Sequence, residues 1–476
     1  MYRKSLFRWW LIGNALFVRK PSRITFAMSF SANKLIGIVC VSIGLAMTAC
    51  ASRPGVSSRD FRRAVDESPV FGQSFTGFAI YDTEREEMMH EYQSDKYFTP
   101  ASNTKIFTLF ASLMLLGDSI PALQYQQRGD TLFFRGTGDP TFLHPDIASV
   151  DTTYEQAVYR FLQAHDGPLR YVERPTKDAY FGPGWAWDDY GYYYSTEKSV
   201  MPIYGNVVRF QFKENLPKPL AYPASFTASI QGFADSTLRP EYLRRAQHEN
   251  TFSYGPKEDT LAFTTDVPFI QSTATLLSLL EDTLQRPVEE YSAPLRGGYQ
   301  TYYSLPSDSV YRRMMQLSDN FIAEQLLLLS SSAWQDTLST QWTIDQVTEL
   351  YLDDLPDAPQ WVDGSGLSRY NMQTPRSMVA ILRKVDSLLS DDRIRTIFPA
   401  GGVSGTVEDW YAGPDKQPYV FAKTGTLGGK HCLSGFLYTR GGDKLIFSFM
   451  HNNYVTSSSV FKVEMERILR QIYERY

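Results

Sequence analysis

Residues 98–117 read FTPASNTKIFTLFASLMLLG and predict a buried helix that carries a serine near its N-terminal end. Pro100 stands just ahead of the apolar run and Gly117 closes it, and both residue types are favoured at these places. Residues three apart lie on one face of a helix, so the Ser102 hydroxyl and the Lys105 amine can meet. The backbone N–H of Ser102 would lack an intrahelical partner there and could point at a developing oxyanion.

Two further motifs lie downstream, Ser318-Asp319-Asn320 and Lys423-Thr424-Gly425. An acyl-transfer site can be made from a serine activated by a lysine, a second serine near that lysine, and a strand-borne lysine facing a substrate carboxylate. Ser-x-x-Lys also begins at Ser31, Ser195 and Ser459, which is about what composition gives by chance. The chemistry is therefore indicated by the set of motifs and not by any one of them.

Lys105 can act as a base only if its amine is neutral near pH 7. Burial in the apolar helix and a second cation nearby, Lys423, are expected to lower its pKa. The alternative is a surface lysine on the flank of a helix, and the two other motifs argue against it.

The sequence around Lys423 predicts an antiparallel meander followed by a helix. The three strand-like runs are residues 419–427, 432–438 and 444–450. Residues 459–476 mix apolar and charged side chains at helical spacing, which indicates an amphipathic helix on that sheet. Lys423 would face the cleft, and Gly425 would let a substrate backbone approach closely.

A longer string, DGSGLSRYN at residues 363–371, is followed by Thr374-Pro375, and two shorter stretches at 136–141 and 182–189 accompany it. On these residues the chain resembles, from about residue 70 onward, the penicillin-binding D-alanyl-D-alanine carboxypeptidases and endopeptidases of the low-molecular-mass class C type, serine peptidase family S13. The resemblance implies an α/β (α+β) fold: a β-lactamase/transpeptidase-like domain whose antiparallel sheet is flanked by helices, with an inserted β-rich domain.

The function implied by this resemblance is that of a serine D,D-peptidase of peptidoglycan metabolism. It would act on stem peptides as carboxypeptidase, endopeptidase or both, through an acyl-enzyme on Ser102, and β-lactams would be covalent inhibitors. Lys105 would be the general base, and Ser318 would relay the proton to the leaving amine. The oxyanion hole would be formed by the backbone N–H groups of Ser102 and Thr426.

The substrate-binding residues are also implied by the resemblance. Asn320 would hold the substrate amide, and Lys423 with Thr424 would bind the terminal carboxylate. Asp189 matches a position that recognises the free amine of the diamino acid in the stem peptide, although the adjacent Asp188 is an alternative.

Two other functions remain open. A β-lactamase or esterase could use the same chemistry, but it must place a water to hydrolyse its acyl-enzyme quickly, and no distinct glutamate motif for this is seen. A non-catalytic peptidoglycan-binding lipoprotein would be expected to have lost a motif residue, and none is lost.

The N-terminal region predicts export. Lys34 precedes an apolar run at 35–45, and small residues then lead to Cys50, which resembles a bacterial lipoprotein signal. Removal of residues 1–49, with Met28 as an alternative start of translation, would leave a lipid-anchored periplasmic protein of the cell envelope, tethered by a linker at 50–70. The sequence leaves open which membrane holds the lipid.

Composition is consistent with a folded enzyme of two or three domains. Hydrophobic residues make up 43% and charged residues 21% of the 476 residues. Without residues 1–49 the net charge changes from −5 to −12, which argues against nucleic acid as a partner. The six histidines show no metal-ligand spacing, so neither a metal nor another cofactor is expected. Cys432 is expected to be a small core residue.

The spacing of the motifs indicates an insertion. Ser102 and Ser318 are 216 positions apart, more than a helical core needs between neighbouring motifs. We place an inserted β-rich accessory region at 125–265 and the catalytic domain at 71–124 and 266–476. Short strands are predicted at 131–134, 207–212 and 226–230. Residues 309–330 predict a helix interrupted near Ser318.

Overall fold

The structure is a computed structural model that describes residues 57–147, 156–214, 216, 218–232, 243–255, 262–293, 295 and 297–476. The predicted signal at 1–49 and the predicted lipidation site Cys50 lie outside the described residues. The α-helices are α1 (Ser58–Asp66), α2 (Lys105–Leu115), α3 (Ala157–Gln163), α4 (Thr273–Leu284), α5 (Ser307–Gln316), α6 (Asn320–Ser332), α7 (Thr340–Tyr351), α8 (Pro375–Leu388), α9 (Asp391–Ile397) and α10 (Ser458–Arg475). The strands are β1 (Phe75–Asp82), β2 (Glu87–Tyr92), β3 (Ser119–Arg128), β4 (Thr131–Gly136), β5 (Leu169–Tyr171), β6 (Val207–Phe212), β7 (Leu220–Tyr222), β8 (Ile230–Gly232), β9 (Arg244–Arg245), β10 (Phe252–Tyr254), β11 (Phe263–Pro268), β12 (Val288–Glu290), β13 (Gln300–Pro306), β14 (Val420–Leu427), β15 (Lys430–Tyr438) and β16 (Lys444–Asn452).

A five-stranded antiparallel sheet forms the centre of the catalytic region, in the order β14-β15-β16-β1-β2. The predicted C-terminal meander and the helix that follows it are confirmed. Alternate side chains of a strand point to opposite faces, so each strand of this sheet contributes to two apolar cores. The predicted fold class, an antiparallel sheet flanked by helices, is confirmed.

The two faces of this sheet are covered by different helices. On one face, Leu433 and Phe447 pack with Phe461 and Leu469 of α10. On the other face, Phe436, Ile446 and buried Cys432 belong to a core shared with helices α2, α5, α6 and α8. Helix α2 is therefore enclosed by protein, and the residues at its N-terminal end are held in place.

Residues 58–73 differ from the predicted tether. We predicted a linker at 50–70, but α1 packs Phe61 and Val65 into the core beneath the sheet. These two side chains lie four residues apart on one helical face, which buries them despite the charged residues between them. Ser57 caps the helix, because its side-chain oxygen accepts the Asp60 N–H at 3.1 Å.

The accessory region is also wider than the predicted 125–265. Its larger sheet has the order β12-β5-β4-β3-β13. Strand β3 begins at Ser119, directly after α2, and pairs antiparallel with β13, which ends at Pro306 directly before α5. The first and last strands of the region thus pair with each other, and sequence pattern alone does not show such a long-range pairing. The region has its own apolar core, which includes Phe134, Phe210 and Leu280.

Two of the three predicted accessory strands are confirmed as β4 and β6, and the third is wrong. Residues 224–229 form a 3₁₀ turn, and the strand β8 begins only at Ile230. Phe226 is buried while its neighbours at 224–225 and 227–228 are exposed, so this segment anchors one side chain without joining a ladder. None of the described helices combines the length and the apolar character needed to cross a bilayer.

Candidate active site

Ser102 lies in a 3₁₀ turn, Ala101–Thr104, that leads directly into α2. We predicted that the serine would lie within the N-terminal end of the helix, whereas the regular helix begins only at Lys105. The three-residue spacing still brings the two side chains together, because Lys105 Nζ lies 3.0 Å from Ser102 Oγ. Ala101 has a φ of 48°, a left-handed conformation that is unfavourable for an alanine and occurs here directly before the predicted nucleophile.

The Lys105 amine joins three segments of the chain. Besides Ser102, it donates to Asn320 Oδ1 at 2.6 Å and to the carbonyl oxygen of Ser365 at 2.7 Å. Lys105 is fully buried. The Ser-x-Asn motif and the DGSGLSRYN string therefore meet the Ser-x-x-Lys motif at a single nitrogen atom.

The helix break between α5 and α6 is confirmed, and it brings Ser318 toward β14. Lys423 Nζ donates to Ser318 Oγ at 2.9 Å and to the Thr424 carbonyl oxygen at 2.8 Å. Ser318 has a φ of 58°, so it too is in the left-handed region. The second serine thus bonds to the lysine of the strand, and it is Asn320 that bonds to Lys105.

Both lysines have depressed pKa values. Burial lowers the pKa of Lys105 to about 8, while the negative charges of Asp363, Glu324 and Asp319 oppose this shift. Burial, followed by the positive charge of Lys105, lowers the pKa of Lys423 well below its ordinary value. Lys105 is therefore partly neutral near pH 7, which a general base requires.

Gly425 has a different role from the predicted one. A Cβ atom at this position would lie 2.3 Å from the Pro100 carbonyl oxygen and 3.0 Å from the Ser102 nitrogen. The backbone that approaches Gly425 is therefore the chain's own Ser102 turn and not a substrate. Asn103 fixes the same contact, because its Nδ2 donates to the Lys423 carbonyl oxygen at 2.8 Å.

The DGSGLSRYN string forms a loop around one carboxylate. Asp363 accepts hydrogen bonds from Gly366 N (2.9 Å), Ser368 N (2.6 Å), Asn371 Nδ2 (2.7 Å) and Trp185 Nε1 (2.9 Å). This loop supplies the Ser365 carbonyl that binds Lys105. Sequence reasoning used the string to recognise a family and gave it no role, because a backbone carbonyl has no side-chain signature.

A cavity of about 550 Å³ opens beside Ser102, and Ser318, Asn320 and Thr426 line it. Thr426 Oγ1 lies 2.9 Å from His431 Nδ1, and Thr424 Oγ1 donates to Thr406 Oγ1 at 2.7 Å. The structure therefore brings together all predicted site residues within the described part of the chain.

Asp189 lines the cavity as well, in a 3₁₀ turn at Trp187–Gly191, and it accepts a hydrogen bond from the Tyr194 hydroxyl at 3.0 Å. Asp188 is not among the residues that line the cavity. The Tyr194 carbonyl accepts from Asn320 Nδ2 at 2.9 Å, so this turn is tied to the Ser-x-Asn motif.

Several cavity residues were missed by sequence reasoning. The accessory region and helix α5 contribute His144, Asp146, Asp266 and Arg313 to the lining of the same cavity. Arg313 pairs with Asp146 and Asp319 at 2.7 and 3.3 Å. No local motif marks these residues, because only the packing of the two regions brings them to the cavity.

A cavity-lining serine paired with a fully buried lysine, beside an antiparallel sheet that carries a second buried lysine, defines a serine hydrolase of the β-lactamase/transpeptidase fold class. The chain belongs to the D-Ala-D-Ala carboxypeptidase 3 (S13) family, whose sequence model matches residues 59–237 and 301–472. The family predicted from the sequence is thus confirmed.

Individual relatives resemble the chain over most of its length. It is 23% identical over 426 residues to D-alanyl-D-alanine carboxypeptidase DacB of Haemophilus influenzae, covering 80% of this chain and 86% of that protein. It is 26% identical over 467 residues to a D-alanyl-D-alanine carboxypeptidase of Actinomadura sp. (strain R39), covering 86% and 84%. The crystal structure of penicillin binding protein 4 (dacB) from H. influenzae shares the fold, with a TM-score of 0.67, 22% identity and coverage of 87% and 98%.

Proposed function

We propose that this protein is a serine D,D-peptidase that hydrolyses the D-alanyl-D-alanine bond of peptidoglycan stem peptides through an acyl-enzyme on Ser102. One observation carries the proposal: Ser102 Oγ lies 3.0 Å from the Nζ of a fully buried lysine whose pKa is about 8. Membership of the S13 family and the activity named for its relatives support the same reaction.

Acylation follows from the contacts around Ser102. The neutral form of Lys105 removes the hydroxyl proton, and Ser102 Oγ attacks the carbonyl carbon of the penultimate D-alanine. The backbone N–H groups of Ser102 and Thr426 stabilise the resulting oxyanion. When the peptide bond breaks, the proton that Lys105 took from Ser102 is passed through Ser318 to the leaving amine, and terminal D-alanine departs. Water then attacks the ester, and Ser102 regains its proton.

Substrate binding uses the polar groups at the edge of the cavity. Lys423 and Thr424 bind the terminal carboxylate, and Asn320 holds the amide of the substrate. Asp189, which lines the cavity, binds a free amine on the stem peptide. A β-lactam enters the same site, and its ring-opened form stays on Ser102. Support for this last point comes from a protein of the same fold, penicillin binding protein 4 of H. influenzae, whose structure is known in complex with a novel β-lactam.

The experiment that tests this function is intact-mass analysis after incubation with a penicillin. The wild-type protein should gain one adduct, and Ser102→Ala should gain none. Ser459→Ala is a matched control, because Ser459 has the same spacing to Lys462 but lies on α10, outside the cavity. An adduct that persists in Ser102→Ala would overturn the assignment.

We also propose that the protein is exported and held at a membrane of the cell envelope by a lipid on Cys50. The apolar run at 35–45 and the small residues before Cys50 support this location. The lipidated cysteine would stand seven residues before Ser57, where the described fold begins.

A further inference from the structure

Glu324 is a buried acid close to the active site, and the mechanism above does not use it. It lies on α6, four residues after Asn320, and only 1% of its surface is exposed. Its Oε1 accepts the Ser365 backbone N–H at 2.7 Å, whereas Oε2 has no hydrogen-bond partner among the described residues. A buried carboxyl oxygen without a partner destabilises a fold, so stability alone does not account for an acid at this position.

The hydrogen bond from Glu324 acts on the residue that holds the catalytic lysine. Ser365 gives its N–H to Glu324 and accepts a hydrogen bond from Lys105 Nζ through its own carbonyl oxygen. The peptide group before Ser365 is also fixed from the other side, because Thr108 Oγ1 donates to the Gly364 carbonyl at 2.6 Å. Helices α2 and α6 therefore clamp this piece of the loop between them.

The loop also lies very close to α6. A Cβ atom at Gly364 would come within 2.4 Å of the Ala323 carbonyl oxygen. Glu324 follows Ala323, so its carboxyl group reaches the loop where the two backbones are closest. A shift of this contact would move the Ser365 carbonyl relative to Lys105.

Charges reinforce the geometry. Glu324 faces Asp363, Lys198 and Lys105, and burial with the nearby Asp363 raises the pKa of Glu324 to about 7. Lys105 in turn faces Glu324, Asp363 and Asp319, with Lys423 as the neighbouring cation. Of the two acids in the loop contact, Asp363 accepts hydrogen bonds from four residues, whereas Glu324, within the described part of the chain, accepts from Ser365 alone. The ionised form of Glu324 favours the protonated form of Lys105.

From these contacts we infer that Glu324 is a positioning residue of the active site: its carboxyl group holds the Ser365 backbone, whose carbonyl oxygen fixes the Lys105 amine beside Ser102. This inference rests on the proposed function, since it assigns Glu324 a role in the acylation of Ser102.

The test compares Glu324→Gln and Glu324→Ala by the rate of acylation with a fluorescent penicillin between pH 5.5 and about pH 9.5, the range that brackets the titration of the base. Gln keeps an oxygen acceptor for the Ser365 N–H but has no negative charge. The maximal acylation rate of this variant should stay within about threefold of wild type. Its pH midpoint should fall by about one unit, because the negative charge that favours the protonated form of Lys105 is removed. Ala loses the acceptor, so its rate should fall about tenfold or more at every pH.

Glu197→Gln is the matched control. Glu197 is 3% exposed and accepts a backbone N–H, that of Gln271 at 2.8 Å, but it pairs with Arg245 in the accessory region. This control should change thermal stability and leave the pH midpoint of acylation unchanged.

Two results would overturn the inference. One is wild-type acylation with a wild-type pH midpoint in both Glu324 variants. The other is an acylation rate that falls only in proportion to the loss of folded protein measured by circular dichroism. In that case the pH midpoint of acylation would stay at the wild-type value, as it does in Glu197→Gln. If wild-type Ser102 is not acylated at all, it is the proposed function that fails.

Discussion

At the scale of single residues, the site contains two buried lysines with unequal surroundings. Lys105 has three acidic groups nearby, whereas burial and the positive charge of Lys105 are the causes that shift Lys423. Among the described residues, Lys423 Nζ donates to a hydroxyl and a carbonyl oxygen, and neither carries a charge. A substrate carboxylate would therefore supply the negative charge that the protein does not place there.

The first prediction follows from this missing charge. Lys423→Met should lower kcat/KM roughly 30- to 100-fold on a D-Ala-D-Ala peptide with a free C-terminal carboxylate, because a hydrogen bond to a charged group is lost. The same variant should lose much less on the peptide whose C-terminus is amidated. The measurement is the ratio of kcat/KM values for the two peptides, in wild type and variant.

Lys105→Ala is the control. Removal of the base should lower kcat/KM equally for both peptides, so the ratio of the two kcat/KM values should stay unchanged. An equal loss on both peptides in Lys423→Met would contradict the carboxylate role.

Residues whose function depends on a side chain at a fixed spacing were predictable. Ser102 and Lys105 are three positions apart, and Ser318 and Asn320 share one break between helices, so short motifs identify them. The Ser365 carbonyl and the Glu324 carboxyl were not predictable. The first is a backbone atom, and the second becomes meaningful only when the loop at 363–371 lies on α6.

At the scale of elements, the turn that carries Ser102 is held between β14 and the loop at 363–371. Gly425 lets strand β14 contact the turn, because it has no Cβ atom. Gly366 lets the loop contact the turn in the same way, since a Cβ atom at Gly366 would lie 1.9 Å from the Ala101 carbonyl oxygen. The left-handed Ala101 persists because both neighbours enclose it. The nucleophile is thus positioned mainly by backbone contacts.

The second prediction tests this packing. Gly425→Ala should push the Ser102 turn away from β14, destabilise the fold by about 1–3 kcal/mol, and slow penicillin acylation about 100-fold. Stability is measured by denaturant unfolding and acylation by fluorescent penicillin. In Gly117→Ala, at the other end of α2, the new Cβ meets nothing within 4 Å, so both values should stay near wild type. Rapid acylation by a folded Gly425→Ala protein would show that the turn tolerates the displacement.

The positions of many strands could be predicted from the sequence pattern, but which strands pair with each other in a sheet could not. The strands at 420–427, 430–438 and 444–452 have the strand-like composition from which they were predicted, and glycine turns make them neighbours. The pairing of β3 with β13 joins residues about 180 positions apart, and nothing local indicates it. The predicted boundaries of the accessory region were therefore too narrow.

At the scale of the whole molecule, the accessory region completes the active site. His144, Asp146, Asp189 and Asp266 of this region line the cavity together with Ser102, and Arg209 of β6 pairs with Asp146 and Asp266. Two regions with separate apolar cores thus share one cavity. A motif search finds the catalytic side of such a cavity and leaves the other side unassigned.

The last prediction concerns how the whole protein reaches its substrate. With residues 1–49 removed the chain carries a net charge of −12, so electrostatic attraction to an anionic membrane surface would not hold it there, and the proposed location depends on the lipid at Cys50. One lipid chain binds a membrane only marginally, and stable tethering takes at least two. Wild-type protein should therefore incorporate an alkyne fatty acid in cells and sediment with membranes, while Cys50→Ser should lose the label and either become soluble or remain unprocessed. Cys432→Ser serves as the control, because Cys432 is buried in the core and should not affect labelling. Wild-type protein without label would remove the lipid anchor while leaving the acylation of Ser102 untouched, because the anchor and the active site depend on different residues.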